Sequence, residues 1–146
     1  MSLDDALIEA SNKHFRSLPF HDWLGLQLVE QGETTIVTMA LTDEVRGAVP
    51  GTIHGGVLAT LADVTSAMTV TGAFDIATER PVTTDMHVRY LRQPKSGPIT
   101  ATARLVHRGR RILSTECSIV DGEGRDLVRA TATYMIVTMQ GLPDLS

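Results

Sequence analysis

The sequence predicts an α+β fold in which an antiparallel sheet is covered on one face by a single buried helix. Two observations carry this. Extended runs over residues 82–92, 99–108, 111–121 and 126–139 follow one another, separated only by short corners at Gly97-Pro98, Gly109-Arg110 and Gly122-Glu123-Gly124. Strands joined so tightly pair antiparallel, and the sheet they form has one face that must be covered. The cover is residues 56–71, an apolar run with helical spacing and almost no charge.

The elements read in order as follows. Residues 3–18 place Leu3, Leu7, Ala10, Phe15 and Leu18 on one helical stripe, and Pro19 stops the helix. Two strand-like runs, 24–31 and 34–41, meet at a Gly32-Glu33 corner suited to a hairpin. Residues 45–53 hold Gly47, Pro50 and Gly51 and read as a loop. In the long helix Val57, Leu61, Val64 and Met68 recur at intervals of four, three and four. The opposite face carries Ala59, Thr60, Asp63, Ser66 and Ala67, too weakly polar for a solvated surface, so burial is expected nearly all round. In residues 82–92, Val82, Thr84, Met86, Val88 and Tyr90 alternate with Thr83, Asp85, His87 and Arg89.

At 146 residues, with no repeat, low-complexity tract or linker, the chain is expected to be one domain spanning residues 1–146. An apolar content of 42% at a net charge of only −4 excludes intrinsic disorder and offers no basic field for nucleic acid. The weakly charged stretch 55–74 contains Asp63 and Ser66, which argues for a core helix over a membrane span. Residues 3–10 carry three acids and lack the basic start of a secretion signal. The single cysteine, Cys117, allows no internal disulfide and fits a cytoplasmic protein.

Asp63 is the only formally charged side chain between Arg46 and Asp75, and it lies inside the helix that reads as buried. Burying a carboxylate costs several kcal/mol unless it is paired or hydrogen-bonded. Either it faces water or bonds to Thr60 or Ser66, three residues to either side, or it is held in a cleft as a nucleophile or general base. His54-Gly55-Gly56 stands where loop becomes helix. Such a triplet is a glycine-rich helix start with a surface histidine, or else a close-approach loop whose first amides polarise a carbonyl. Gly56 and Asp63 are seven residues apart, roughly 10 Å along one helix. A carbonyl held at the Gly56 N–H is out of reach of Asp63 in the same chain. If both serve one site, two chains of a symmetric dimer must build it.

HGGVLATLAD, with its carboxylate nine residues after the histidine, resembles the signature of the hotdog-fold thioesterases, in particular the phenylacetate-degradation type and its 4-hydroxybenzoyl-CoA and acyl-CoA thioesterase relatives. LGLQLVE, PVTTDMHVRYLRQPKSG and the glycine turns of the last strands extend the similarity over roughly residues 20–139. The resemblance implies a long helix wrapped by an antiparallel sheet, assembly into homodimers or homotetramers, and hydrolysis of acyl-CoA thioesters at the dimer interface. It implies that Asp63 acts as nucleophile or general base and that the Gly56 N–H polarises the thioester carbonyl. It further implies that His54 orients that loop or the thioester, that Gly55 helps bind the substrate, and that Thr83 helps hold the attacking water. One position departs: many relatives carry Asn six residues before the HGG histidine, where this chain has Ala48. Arg46 nearby has no acceptor to orient a water in its place, so another polar group takes over or activity is weak.

Coenzyme A carries phosphates, and Arg108, Arg110 and Arg111 gather three guanidiniums at one turn, either a solvated hairpin tip or a phosphate grip. Arg92 and Lys95 are further candidates. His14, His21, His54, His87 and His107 show no metal-binding spacing, and neither a metal nor another cofactor is expected. His87 reads as part of an ion-pair network with Asp85 and Arg89, and Cys117 as a small buried hydrophobe. No GxSxG or P-loop occurs, which argues against serine-esterase and nucleotide chemistry. Acyl-CoA hydration on the same fold is a weaker enzymatic reading. A non-catalytic acyl-CoA-binding or regulatory module is the alternative of another class, which Ala48 favours and Asp63 disfavours.

Overall fold

The computed structural model describes residues 3–141. The elements are α1 (Leu3–Arg16), α2 (Pro19–Trp23), β1 (Gln27–Glu30), β2 (Thr34–Met39), α3 (Gly55–Thr69), β3 (Glu79–Tyr90), β4 (Ile99–Arg108), β5 (Ile112–Val120) and β6 (Asp126–Thr138). All six strands join one antiparallel sheet in the order β1-β2-β4-β5-β6-β3. The third strand therefore skips its sequence neighbour and pairs with β6, which leaves β3 at one edge and β1 at the other. The sheet curls around α3, which packs against β2, β3, β4, β5 and β6.

Small side chains let the helix lie close to the sheet. Ala101, Ala103, Cys117 and Ala130 line the inner face opposite Leu58, Leu61 and Ala62, with Val37, Met39, Ile99, Ile119 and Val128 filling the remaining space. A fully buried leucine such as Leu61 contributes about 1.5–3 kcal/mol. From Val57 to Thr69 every residue of α3 is buried or half-buried, so the expectation of burial nearly all round holds. The stripe is rotated from the one expected. Leu58, Leu61, Ala62, Thr65, Ser66 and Thr69 are buried, while Val57, Val64 and Met68 are only half-buried. The threonines satisfy themselves within the helix, Thr65 Oγ1 donating to the Leu61 carbonyl at 2.7 Å and Thr69 Oγ1 to that of Thr65 at 3.0 Å. This makes a face of small polar residues compatible with the core.

The N-terminal region differs from the expected single helix. The helix ends at Arg16, and Pro19 does not merely stop it but opens the short α2 at a position where its missing N–H costs nothing. Of the expected stripe, Phe15 is buried, Ala10 and Leu18 are exposed, and the Leu3 and Leu7 side chains lie outside the described residues. Instead of a broad apolar seam, α1 presents Asn12 to the edge strand β1. The Asn12 amide accepts from the Leu28 N–H at 2.7 Å and donates to the Leu28 carbonyl, pairing backbone groups that an open edge would expose.

At the far end, the β5–β6 turn is pinned to the β3–β4 connection. Burial opposes the charge of Asp121, but N–H bonds from Lys95, Arg125 and Glu123 at 3.0–3.1 Å, with the Arg125 guanidinium, outweigh it and hold the carboxyl below its usual range. Its contribution is present above the ordinary carboxylate range and is lost as pH falls through the lowered value. Beside it, Gly122 donates to the Ser96 carbonyl at 3.0 Å, and a Cβ at Gly122 would overlap the backbone carbonyl of Gly97. Since that neighbour is backbone rather than a movable side chain, Gly122→Ala is expected to destabilise by about 3 kcal/mol, read as a lowered denaturant midpoint at unchanged slope.

Candidate active site

The inner face of the β3–β6 pair is aimed at Asp63. The Thr83 hydroxyl donates to Asp63 Oδ1 at 3.0 Å, and the Tyr134 hydroxyl lies 2.9 Å from the same Oδ1 and 2.9 Å from the Asp63 backbone carbonyl. Thr60 is not its partner, since that hydroxyl bonds to the Gly56 carbonyl at 2.9 Å. No hydrogen bond joins Ser66 to Asp63 either among the described residues. Burial, the Asp63 charge and the hydrogen bond to it push ionisation of the phenol far above its ordinary range, so Tyr134 is a donor at any working pH.

A bulge brings Thr83 there. Thr83 opposes Tyr134 and Asp85 opposes Thr133, so Thr84 is the extra residue on β3. Val82 and Asp85 then share the outer face, and Thr83 joins Met86 and Val88 on the helix side. Unbroken alternation had placed Thr83 with Asp85, His87 and Arg89. The bulge reverses it at the one residue that meets the carboxylate.

His54 is the N-cap of α3, and its Nδ1 accepts the Gly56 N–H at 3.0 Å. The amide expected to polarise a carbonyl is thus held by the histidine beside it. The Gly55 N–H, one residue earlier, has no hydrogen-bond partner among the described residues. Two residues that sequence reasoning missed hold this corner: the Tyr90 hydroxyl donates to the Gly55 carbonyl at 2.9 Å, and Gln93 Oε1 accepts from the Ile53 N–H at 2.9 Å. Because α3 is unbroken from Gly55 to Thr69, Gly56 and Asp63 stay roughly 10 Å apart along its axis. Ala48 is exposed on the preceding loop.

Tyr134 was missed as well. Its signal was a lone phenol at the parity of Ala130 and Ala132 on β6, since a buried tyrosine hydroxyl needs a partner. Leu113, Tyr134 and Thr83 form one row across β5, β6 and β3, so the β4–β5 turn bearing Arg108, Arg110 and Arg111 leaves the sheet at the Asp63 end. Arg108 lines a groove of about 780 Å³ with Gln31, Glu33, Met68 and Leu105. Arg111 donates to the Ile136 carbonyl at 3.4 Å, and Arg110 is exposed. None of the three hydrogen-bonds to Asp63 or Gly56 among the described residues, and Arg92 and Lys95 lie exposed beyond β3. His87 shares its outer face with Asp85 and Arg89, but no ion pair joins them among the described residues. Cys117 is buried, its thiol pushed up to about 12 by that burial, which leaves it unreactive. Among the described residues no helix is long and apolar enough to cross a membrane.

The sheet curled around one long helix is the hotdog fold, and that helix carries the hydroxyl-held carboxylate and the glycine-rich start. The chain belongs to the thioesterase superfamily, whose family model matches residues 50–128. Among curated proteins it is similar to the medium/long-chain acyl-CoA thioesterase YigI of Salmonella typhimurium, with 28% identity over 134 residues that cover 82% of this chain and 86% of YigI. Among solved structures it is similar to the thioesterase HI1161 of Haemophilus influenzae (TM-score 0.82, 22% identity, 95% of this chain and 94% of that one). The PaaI protein of the E. coli phenylacetic acid degradation operon shares the fold at a TM-score of 0.77 and 20% identity, covering 93% of this chain and 96% of PaaI.

Proposed function

We propose that this protein hydrolyses acyl-CoA thioesters to the free acid and coenzyme A, in a site that two copies of the chain build together. The observation that carries the reading is the Asp63 carboxylate, held by two hydroxyls at Oδ1 beside the unpaired edge of β3. A twelve-residue edge strand with Val82 and Tyr90 exposed is a ready surface for a second copy, which supports a homodimer. The helix start of the second copy would then supply the amides that Asp63 cannot reach in its own chain. Its Gly55 N–H is free to hold the thioester oxygen, and its Gly56 N–H joins once the His54 imidazole yields it.

Asp63 takes a proton from water as the water oxygen bonds to the carbonyl carbon, or attacks that carbon itself to give an anhydride that water then opens. In both routes the C–S bond breaks and the thiolate leaves as the thiol after taking up a proton. Thr83 holds Asp63, and its oxygen can still accept from that water. Arg108, Arg110 and Arg111 would grip the phosphates. The reading takes residues 1–146 as one catalytic domain in the cytoplasm, where coenzyme A esters are made.

A panel of aryl- and alkyl-CoA thioesters, including the medium and long chains for which YigI is named, tests this by thiol release. Turnover of at least one member well above the buffer rate is expected. The capped Gly56 amide and Ala48 favour a second reading, a non-catalytic acyl-CoA binder. Saturable binding by calorimetry with no thiol release from any member would establish that reading and overturn the first.

A further inference from the structure

We infer that Tyr134 is a positioning residue for Asp63: it clamps Oδ1 to the helix backbone and leaves Oδ2 as the oxygen that meets water or thioester. This rests on the catalytic reading of Asp63. The phenol lies 2.9 Å from two oxygens of one residue, the carboxylate Oδ1 and the main-chain carbonyl, so a single proton shared between them limits rotation of the side chain. Thr83 ends on the same Oδ1, while Oδ2 has no partner among the described residues. The carboxylate is therefore tied by one oxygen and open at the other.

The clamp is rigid where Thr83 is not. Tyr134 is 1% exposed and sits inside the sheet between Leu113 and Thr83, whereas Thr83 is exposed on the edge strand. Being protonated throughout the working range, the phenol donates only to an oxygen, and the ionised carboxylate is the better acceptor of the two.

Tyr134→Phe keeps the ring and deletes the one oxygen. On the fastest thioester of the panel, kcat is expected to fall roughly ten- to hundredfold, the scale of a lost hydrogen bond to a charged group, with KM within about twofold. Adding Tyr134→Phe to Asp63→Asn should cost nothing further. A folded Tyr134→Phe with wild-type kcat, or with its loss in KM rather than kcat, overturns the assignment. Asp63→Asn turning over like wild type instead overturns the catalytic reading itself, whatever Tyr134→Phe does. Should Tyr134→Phe fail to fold, 3-fluorotyrosine labelling decides. The chain has two tyrosines, so Tyr90→Phe assigns the remaining ¹⁹F resonance to Tyr134, and Asp63→Asn must shift it. An unmoved resonance also overturns the assignment.

Discussion

Asp63→Asn is expected to lower thioester turnover by two or more orders of magnitude, about the contribution of a positioned base or nucleophile, while the fold survives. The side chain keeps its size, and its amide oxygen still accepts from Thr83 and Tyr134, so the two bonds at Oδ1 persist. What disappears is the negative charge and the ability to take a proton or form an acyl bond. KM should change little, since the amides and arginines assigned to substrate binding are untouched. Thiol release beside a thermal melt separates chemistry from stability. A folded variant that turns over at the wild-type rate would remove Asp63 from the mechanism.

Mixing two inactive variants should restore activity if the site is shared. Gly56→Pro deletes the N–H at a first-turn position where proline is tolerated. With free exchange, half of the dimers pair this chain with Asp63→Asn. In each hybrid one site combines both defects, and the other has Asp63 from one chain and the Gly56 amide from its partner. About a quarter of the wild-type activity should therefore return from two preparations that are each nearly dead. Hybrids can be confirmed by differential tagging. If they form and recover nothing, both groups belong to one chain's site, and the shared site is wrong. The roughly 10 Å along α3 between the two positions is what makes recovery the expected result.

The strands were legible because alternation and glycine corners are local signals. β4 appears over Ile99–Arg108 as read, and β5 and β6 differ by a residue at one or both ends. The helix was legible from its missing charges, and Asp63 stood out because a lone carboxylate there demands an explanation. The rotated stripe was not legible: Thr65, Ser66 and Thr69 are buried in place of Val57, Val64 and Met68, because back-bonded hydroxyls erase the polarity that sequence patterning relies on. The sequence offers the Gly56 amide as free, since nothing in HGG announces that the imidazole folds back onto it.

The sequence by itself determined an antiparallel sheet on a buried helix, a carboxylate inside that helix, and a glycine-rich start too far along it to meet that carboxylate. Only the tertiary structure decided what holds the carboxylate. Thr83 reaches Asp63 because a one-residue bulge at Thr84 turns it inward, and the sequence marks no residue there as extra. Tyr134 reaches it from 71 residues away because β3 pairs with β6, a choice made by closing the sheet around the helix rather than by any local preference. Pairings between distant strands depend on which arrangement buries the common core, and that is a property of the whole chain.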